Sequence, residues 1–228
     1  MYTRPEFGVD PVGACVYMIQ RRQIAKRALD VCVASLAIML AIPILVIVAL
    51  CIWCVMGKPI LFRQRRPGLR GKPFTILKFR TMNIGDACDA ERITRLGAFL
   101  RRTSLDELPE LWNVIRGEMS LVGPRPLLMD YLDCYSPEQM RRHEVRPGIT
   151  GWAQVNGRNA LSWDQRLMLD VWYVDHGSLW LHARILFGTL PSIWRRYGIS
   201  HRGHATMPQF VGTVPTHQEA STRITAGE

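Results

Sequence analysis

Residues 31–56 form the longest apolar run in the chain, 26 positions without a charge. As one straight helix at ~1.5 Å per residue, the run is long enough to cross a ~30 Å hydrocarbon core. Pro43 interrupts it, with 12 residues before and 13 after, so each half reaches only ~18–20 Å. Arg21, Arg22, Lys26 and Arg27 flank one end, and Lys58, Arg63, Arg65 and Arg66 the other. If basic flanks stay on the cytoplasmic side, a helix that bends at Pro43, dips into one leaflet and returns fits both features. An ordinary spanning helix with a tolerated proline kink is the alternative, and these residues alone leave the two open.

After Met56 the period changes. Ile60-Leu61-Phe62 and Phe74-Thr75-Ile76-Leu77-Lys78-Phe79 are β-prone runs around turn chemistry, Arg66-Pro67-Gly68-Leu69-Arg70-Gly71-Lys72-Pro73, and predict a hairpin. Alternation puts Lys78 and Arg80 on one face with Ile76. Residues 92–100 read as a short helix, and Leu105, Leu108, Leu111, Trp112 and Ile115 as a helical stripe. Residues 127–142 predict a broken helix with a stop at Ser136-Pro137. Residues 162–174 predict an amphipathic helix with a capping start at Ser162 and Gln165. Residues 179–197, rich in Leu, Ile, Trp and Phe, suit a helix lying in a membrane interface or packed on the core.

These elements predict an α+β chain: a proline-kinked membrane helix, a compact and mainly helical domain, a small β-hairpin and interfacial amphipathic helices. Residues 1–19 read as a polar extension with no long apolar run, hence no signal peptide. Residues 20–57 hold the basic flank and membrane helix, 58–212 the folded domain, and 213–228 a disordered tail.

Charge narrows the partners. The net charge is +10 and the pI near 9.8, which points to nucleic acid, an anionic membrane surface or a phosphorylated substrate. The apolar run favours the last two, and no nucleic-acid-binding pattern is present. Three of the six cysteines lie in the apolar run. Cys51-x-x-Cys54 lacks the second pair that a zinc site needs. Nothing indicates a disulfide scaffold, so a reducing cytoplasmic setting fits.

The candidate chemistry centres on Thr103-Ser104-Leu105-Asp106-Glu107-Leu108-Pro109-Glu110-Leu111. Neighbouring side chains on a helix diverge by ~100°, so Asp106 and Glu107 suit two tasks, one attacking and one holding a metal. The structural alternative is a capping box, Ser104-x-x-Glu107, which Pro109 weakens by lacking an N–H. In Gly123-Pro124-Arg125-Pro126 the prolines aim Arg125 for a bidentate phosphate contact, or for a salt bridge. Arg101, Lys78, Arg80 and Arg146 are further candidate phosphate ligands, with a solvated basic face as the alternative for the hairpin. The glycine- and amide-rich stretch at 145–159 reads as a ligand loop or as plain tight turns. It offers Trp152, Gln154, Asn156 and Arg158 for nucleotide or sugar, and matches no Walker A loop. Asp170 is a candidate polar contact or a surface acid.

Taken in order, these motifs resemble the bacterial sugar transferase family, specifically its small monotopic phosphoglycosyl transferases of the PglC type. The resemblance rests on the proline-broken apolar helix, Arg66-Pro67-Gly68, Lys78-Phe79-Arg80-Thr81-Met82, Ser104-Leu105-Asp106-Glu107-Leu108, Val122-Gly123-Pro124-Arg125-Pro126 and Arg146-Pro147-Gly148-Ile149-Thr150-Gly151-Trp152. Gln154-Val155-Asn156-Gly157-Arg158-Asn159 and the ending at 203–210 strengthen it, and it covers roughly 20–212. It implies transfer of a sugar-1-phosphate from a UDP-sugar, by the ending an N-acetylated hexose, to polyprenyl (undecaprenyl) phosphate, releasing UMP. It implies Mg²⁺, an aspartyl-phosphosugar on Asp106 and a metal ligand in Glu107, with Asp106 beside it. It also implies a re-entrant helix broken at Pro43 and a catalytic domain on the cytoplasmic face of the bacterial inner membrane, in contact with anionic lipids. A homodimer through residues 179–194 is compatible with it. One departure is Ile42 before Pro43, where many relatives carry serine.

Overall fold

The computed structural model describes residues 11–86, 88–157, 161–194, Phe210 and Gly212. The expectations for residues 1–10, Arg158, 203–209 and 213–228 fall outside those residues. The helix α1 runs Pro11–Met56, 46 residues with Pro43 inside it. It is therefore already helical nine residues before the expected boundary, within the supposed extension.

Within α1, Ala34, Val48 and Ile52 are buried, and Ala37, Ile38, Leu45, Ala49 and Met56 are partly covered. Steps of three and four residues put them on one stripe. Around the rest of the helix Leu36, Met39, Leu40, Ile42, Val46, Ile47, Leu50 and Trp53 are exposed. The segment Gln23–Met56 is the one helix, among the described residues, long and apolar enough to cross a membrane, and 11 % of its most apolar window is buried. An unpartnered apolar surface of this extent suggests membrane association.

The hairpin forms as its sequence requires. β1 (Leu61–Pro67) pairs antiparallel with β2 (Pro73–Phe79), Leu61 opposite Phe79 and Pro67 opposite Pro73. Two short helices follow, α2 (Asp89–Arg92) and α3 (Arg95–Thr103), then α4 (Glu110–Arg116). α4 lies along β2 and α1. Its fully buried Asn113 accepts from Leu77 N at 3.1 Å and donates to Thr75 O at 2.7 Å. Phe74, Ile76, Leu111, Val114 and Met119 pack there with Ala34.

A second strand pair was not legible beforehand. β3 (Ser120–Val122) and β4 (Gly148–Thr150) run parallel, Ser120 opposite Gly148 and Val122 opposite Thr150. Three residues each is too short for a period to register. Between them, Ser136-Pro137 opens a helix rather than only stopping one. Ser136 caps α5 (Pro137–Met140) in a full capping box with Gln139. The short α6 (Trp152–Val155) leads to α7 (Trp163–His176), which has the expected capping box at Ser162 and Gln165. The last helix among the described residues, α8 (Leu179–Trp194), puts Leu181 and Ile185 into the core and leaves Trp180 and Phe187 exposed. The core-packing alternative thus holds for one side of that segment.

Arg80 closes the far end of α1. Its guanidinium donates to Gly57 O at 2.8 Å, to Lys58 O at 3.2 Å and to Met56 O. These are the unpaired carbonyls of a helix C-terminus, where positive charge is favoured. Replacing the guanidinium in Arg80→Met is expected to cost about 2–4 kcal/mol, read as a lower unfolding temperature in detergent. A stability unchanged from the parent protein would show that Arg80 is free for another role.

Candidate active site

The chain reaches the carboxylates through a sharp turn. α3 ends at Thr103, and Ser104 takes a left-handed conformation, φ 57° and ψ 18°. A single 3-10 turn, Leu105–Glu107, then leads into α4. The Ser104 side chain caps nothing there, so the capping-box alternative fails. The Glu107 carboxylate instead meets two cations: Lys78 Nζ donates to Oε1 at 2.7 Å, and Arg125 Nη2 donates to the same oxygen. Lys78 Nζ also stands 3.0 Å from Glu110 Oε1, out of hydrogen-bond alignment.

Arg125 is held from behind. Gly123 N donates to Thr150 O at 2.9 Å and Gly148 N to Pro124 O at 3.0 Å. A Cβ on Gly148 would lie 2.0 Å from Gly123 N, so only glycine admits this approach. Arg142, fully buried, donates to Arg125 O at 2.8 Å, to Asp170 Oδ2 at 2.7 Å and to Tyr135 Oη at 3.2 Å.

Electrostatics separate the two adjacent acids. Burial alone would raise the Glu107 carboxyl, but Arg125 and Lys78 outweigh it and hold it far below the usual range. Burial, then the neighbouring Glu107, raises Asp106, against Lys78, Arg125 and Arg101. Asp106 is buried and, among the described residues, its carboxylate makes no hydrogen bond or ion pair at contact distance. Burial pushes Glu110 up to about 7, against the pull of Lys78. One carboxylate is thus neutralised in place, and its neighbour is left open.

No three His, Cys, Asp or Glu side chains among the described residues form a ready cation cage. Mg²⁺ commonly takes one or two carboxylates and completes its octahedron with water and substrate phosphate. The Asp106–Glu107 pair, with the orphaned Glu110 Oε1 behind it, fits that kind of binding.

The structure sorts the residues expected from sequence. Asp106, Glu107, Lys78 and Arg125 come together. Arg101 acts on Asp106 by charge while its Nε donates to Thr81 Oγ1 at 2.9 Å. Arg80 is buried on the α1 carbonyls. Arg146 lies at the other end of α4, its Nε donating to Gly117 O at 2.9 Å. Asp170 is 2 % exposed and paired with Arg142, which makes it a support for Arg125 and corrects its reading as a ligand contact or surface acid. Trp152 stacks on Trp172 at 5.2 Å, Gln154 donates to Ile149 O at 2.9 Å, and Asn156 to Trp152 O at 2.8 Å. Arg158 is not among the described residues. Sequence reasoning missed Glu110 and Arg142. Glu110 follows Asp106 by four and Glu107 by three, the spacing that shares a helix face; nothing local marked Arg142.

The chain matches the bacterial sugar transferase family over residues 21–196. It is 52 % identical over 165 residues to an uncharacterized sugar transferase, EpsL, of Bacillus subtilis, covering 69 % of this chain and 81 % of the relative. It is 45 % identical over 184 residues to a UDP-glucose:undecaprenyl-phosphate glucose-1-phosphate transferase of Caulobacter vibrioides, covering 74 % and 69 %. A protein of the same name in Escherichia coli is 39 % identical over 184 residues, covering 74 % of this chain and 40 % of the longer relative. A match across most of the chain, including the carboxylate turn and the Arg125 loop, places this protein in the bacterial sugar transferase family.

Proposed function

We propose that this protein transfers a sugar-1-phosphate from a UDP-sugar to undecaprenyl phosphate, giving undecaprenyl-diphosphate-sugar and UMP. The observation that carries the reading is the contrast between open Asp106 and doubly paired Glu107. An Asp106 oxygen attacks the sugar-bearing phosphorus. The bond to the bridging oxygen breaks, and its electron pair leaves with UMP. The acceptor phosphate then attacks the same phosphorus and returns Asp106 as a carboxylate. Storing the sugar phosphate on Asp106 lets the soluble and lipid substrates bind in turn. Lys78 and Arg125 lie where phosphoryl oxygens gather charge, and Arg101 adds a third cation.

Glu107 and Asp106 would hold the Mg²⁺. Bound there, the ion would screen the carboxylate from the incoming diphosphate and neutralise charge on its oxygens.

The monotopic reading gains support from the packing of α1. Arg27 donates to Val114 O at 2.7 Å and Ile115 O at 3.0 Å, and Asp30 accepts from Leu121 N at 3.2 Å. The other end meets Arg80. Both ends of the apolar segment rest on one domain, as a re-entrant helix at the inner membrane would have them. For the donor, the PglC-type resemblance favours an N-acetylated hexose, whereas two of the relatives carry glucose in their names.

Purified protein, Mg²⁺ and a panel of UDP-sugars without lipid acceptor are expected to give an intact-mass gain of one sugar phosphate. The donor that gives it names the sugar. Asp106→Asn is expected to lose the adduct and to slow UMP release by at least ~10³-fold. UMP formed once undecaprenyl phosphate is added, with no adduct from any donor, would overturn the covalent step.

Glu110 gives a pH signature. Its folded value of about 7 lies above the ordinary ~4.3 of glutamate. Below the ordinary value both states hold the proton. Between the two values the folded state retains a proton that the unfolded chain has lost, so stability falls as pH rises through that window. In Glu110→Gln the slope should flatten: the gain in unfolding temperature over the parent is expected to be larger at pH 8 than at pH 5. Equal differences at both pH values would contradict the raised Glu110.

A further inference from the structure

A second basic pocket lies away from the carboxylates. The hairpin tip and the far end of α4 enclose about 300 Å³, lined by Arg70, Lys72, Arg146, Phe74, Gly117 and Glu118. Lys78 lies four positions after Phe74 along β2, about 13 Å at ~3.3 Å per residue. A single phosphate held by Lys78 and Arg125 cannot touch both places.

The charge here is unbalanced. Glu118, the acid in the lining, is already engaged: Arg116 stands 3.3 Å away and Asn113 Nδ2 donates to it at 2.7 Å. Arg70 and Lys72 have no acidic partner among the described residues. The Gly117 carbonyl fixes Arg146 through Nε, leaving the rest of that guanidinium without a hydrogen bond among the described residues. Arg146 also stands close enough to Arg27 for the two cations to repel. At the tip Arg70 takes a left-handed conformation, φ 55° and ψ 33°, rare for a side-chain-bearing residue. Like charges gathered around a concave surface repel one another unless an anion sits between them.

We propose that this pocket is a second phosphate-binding site, separate from the carboxylate centre. It takes a phosphoryl group carrying one or two negative charges, gripped by Arg70, Lys72 and Arg146. The phosphate has two possible sources. Arg27 lies four positions before the apolar run begins, which brings the neighbouring pocket near headgroup depth, so an anionic phospholipid can supply it. A soluble phosphate can reach it from the water side.

Hydrogen exchange at the hairpin tip reads the site locally. The full chain is placed in phosphatidylcholine nanodiscs, with added pyrophosphate as the soluble probe. A parallel sample uses nanodiscs containing phosphatidylglycerol and no pyrophosphate. Slower exchange at residues 67–74 with phosphatidylglycerol assigns the site to a lipid headgroup; slower exchange with pyrophosphate assigns it to a soluble phosphate. In either case Arg70→Ala combined with Lys72→Ala is expected to raise the half-saturating concentration of the probe about tenfold or more. Both side chains are exposed, so the fold should tolerate their loss. Added salt is expected to weaken the effect in the parent protein, which needs no variant. Unchanged exchange with both probes, or slowing that survives the double substitution, would overturn the proposal.

Discussion

The arrangement depends on one shared cation. Lys78 projects from β2 between two carboxylates, 2.7 Å from Glu107 and 3.0 Å from Glu110. Without it, the half-buried Glu107 would keep Arg125 alone and the buried Glu110 would lose its nearest cation, and buried unpaired charge is among the costliest things a fold can contain. Lys78 can stand there because the hairpin alternates, with Phe74 and Ile76 driving the same face into the core. Arg125 completes the cluster from a loop that glycine contacts and a buried arginine hold in place. The hairpin, the helix and the loop converge on two carboxylates, and Asp106 gains its openness because the cations are committed next door.

Most of this was legible where a residue's role is local. The apolar run, the hairpin, the caps at Ser162 and the paired acids each carry their signal within a few positions. Arg125 between two prolines announced an aimed side chain, and it is aimed. Reading failed where the partner is distant in the chain. Asp170 looked like a surface acid or ligand contact because its partner, Arg142, is 28 residues away. Arg80 and Lys78 share a strand face and a charge, yet one meets carboxylates and the other meets the end of α1, 23 residues back. Arg146 likewise sits among arginines in sequence and away from the carboxylates in space. Short parallel strands of three residues have no period to detect.

The apolar helix and the carboxylate turn are tied together by packing in this fold. Ala34 of α1 lies in the core cluster of β2 and α4, and Val48 and Ile52 pack in a second cluster with Phe79 and Leu100. The apolar helix is thus not a detachable anchor. Removing it would strip the floor from beneath Leu111 and Val114, one turn from Glu110.

The buried Asn113 has a consequence of another kind. A two-stranded hairpin leaves the outer side of each strand with unpaired amides and carbonyls, an invitation to any passing extended chain. On β2 the Leu77 N–H and the Thr75 carbonyl are already answered by the two ends of a single amide side chain. That stretch of the edge is therefore a poorer template for strand addition. One asparagine thus stands where an intruding strand would otherwise pair with β2.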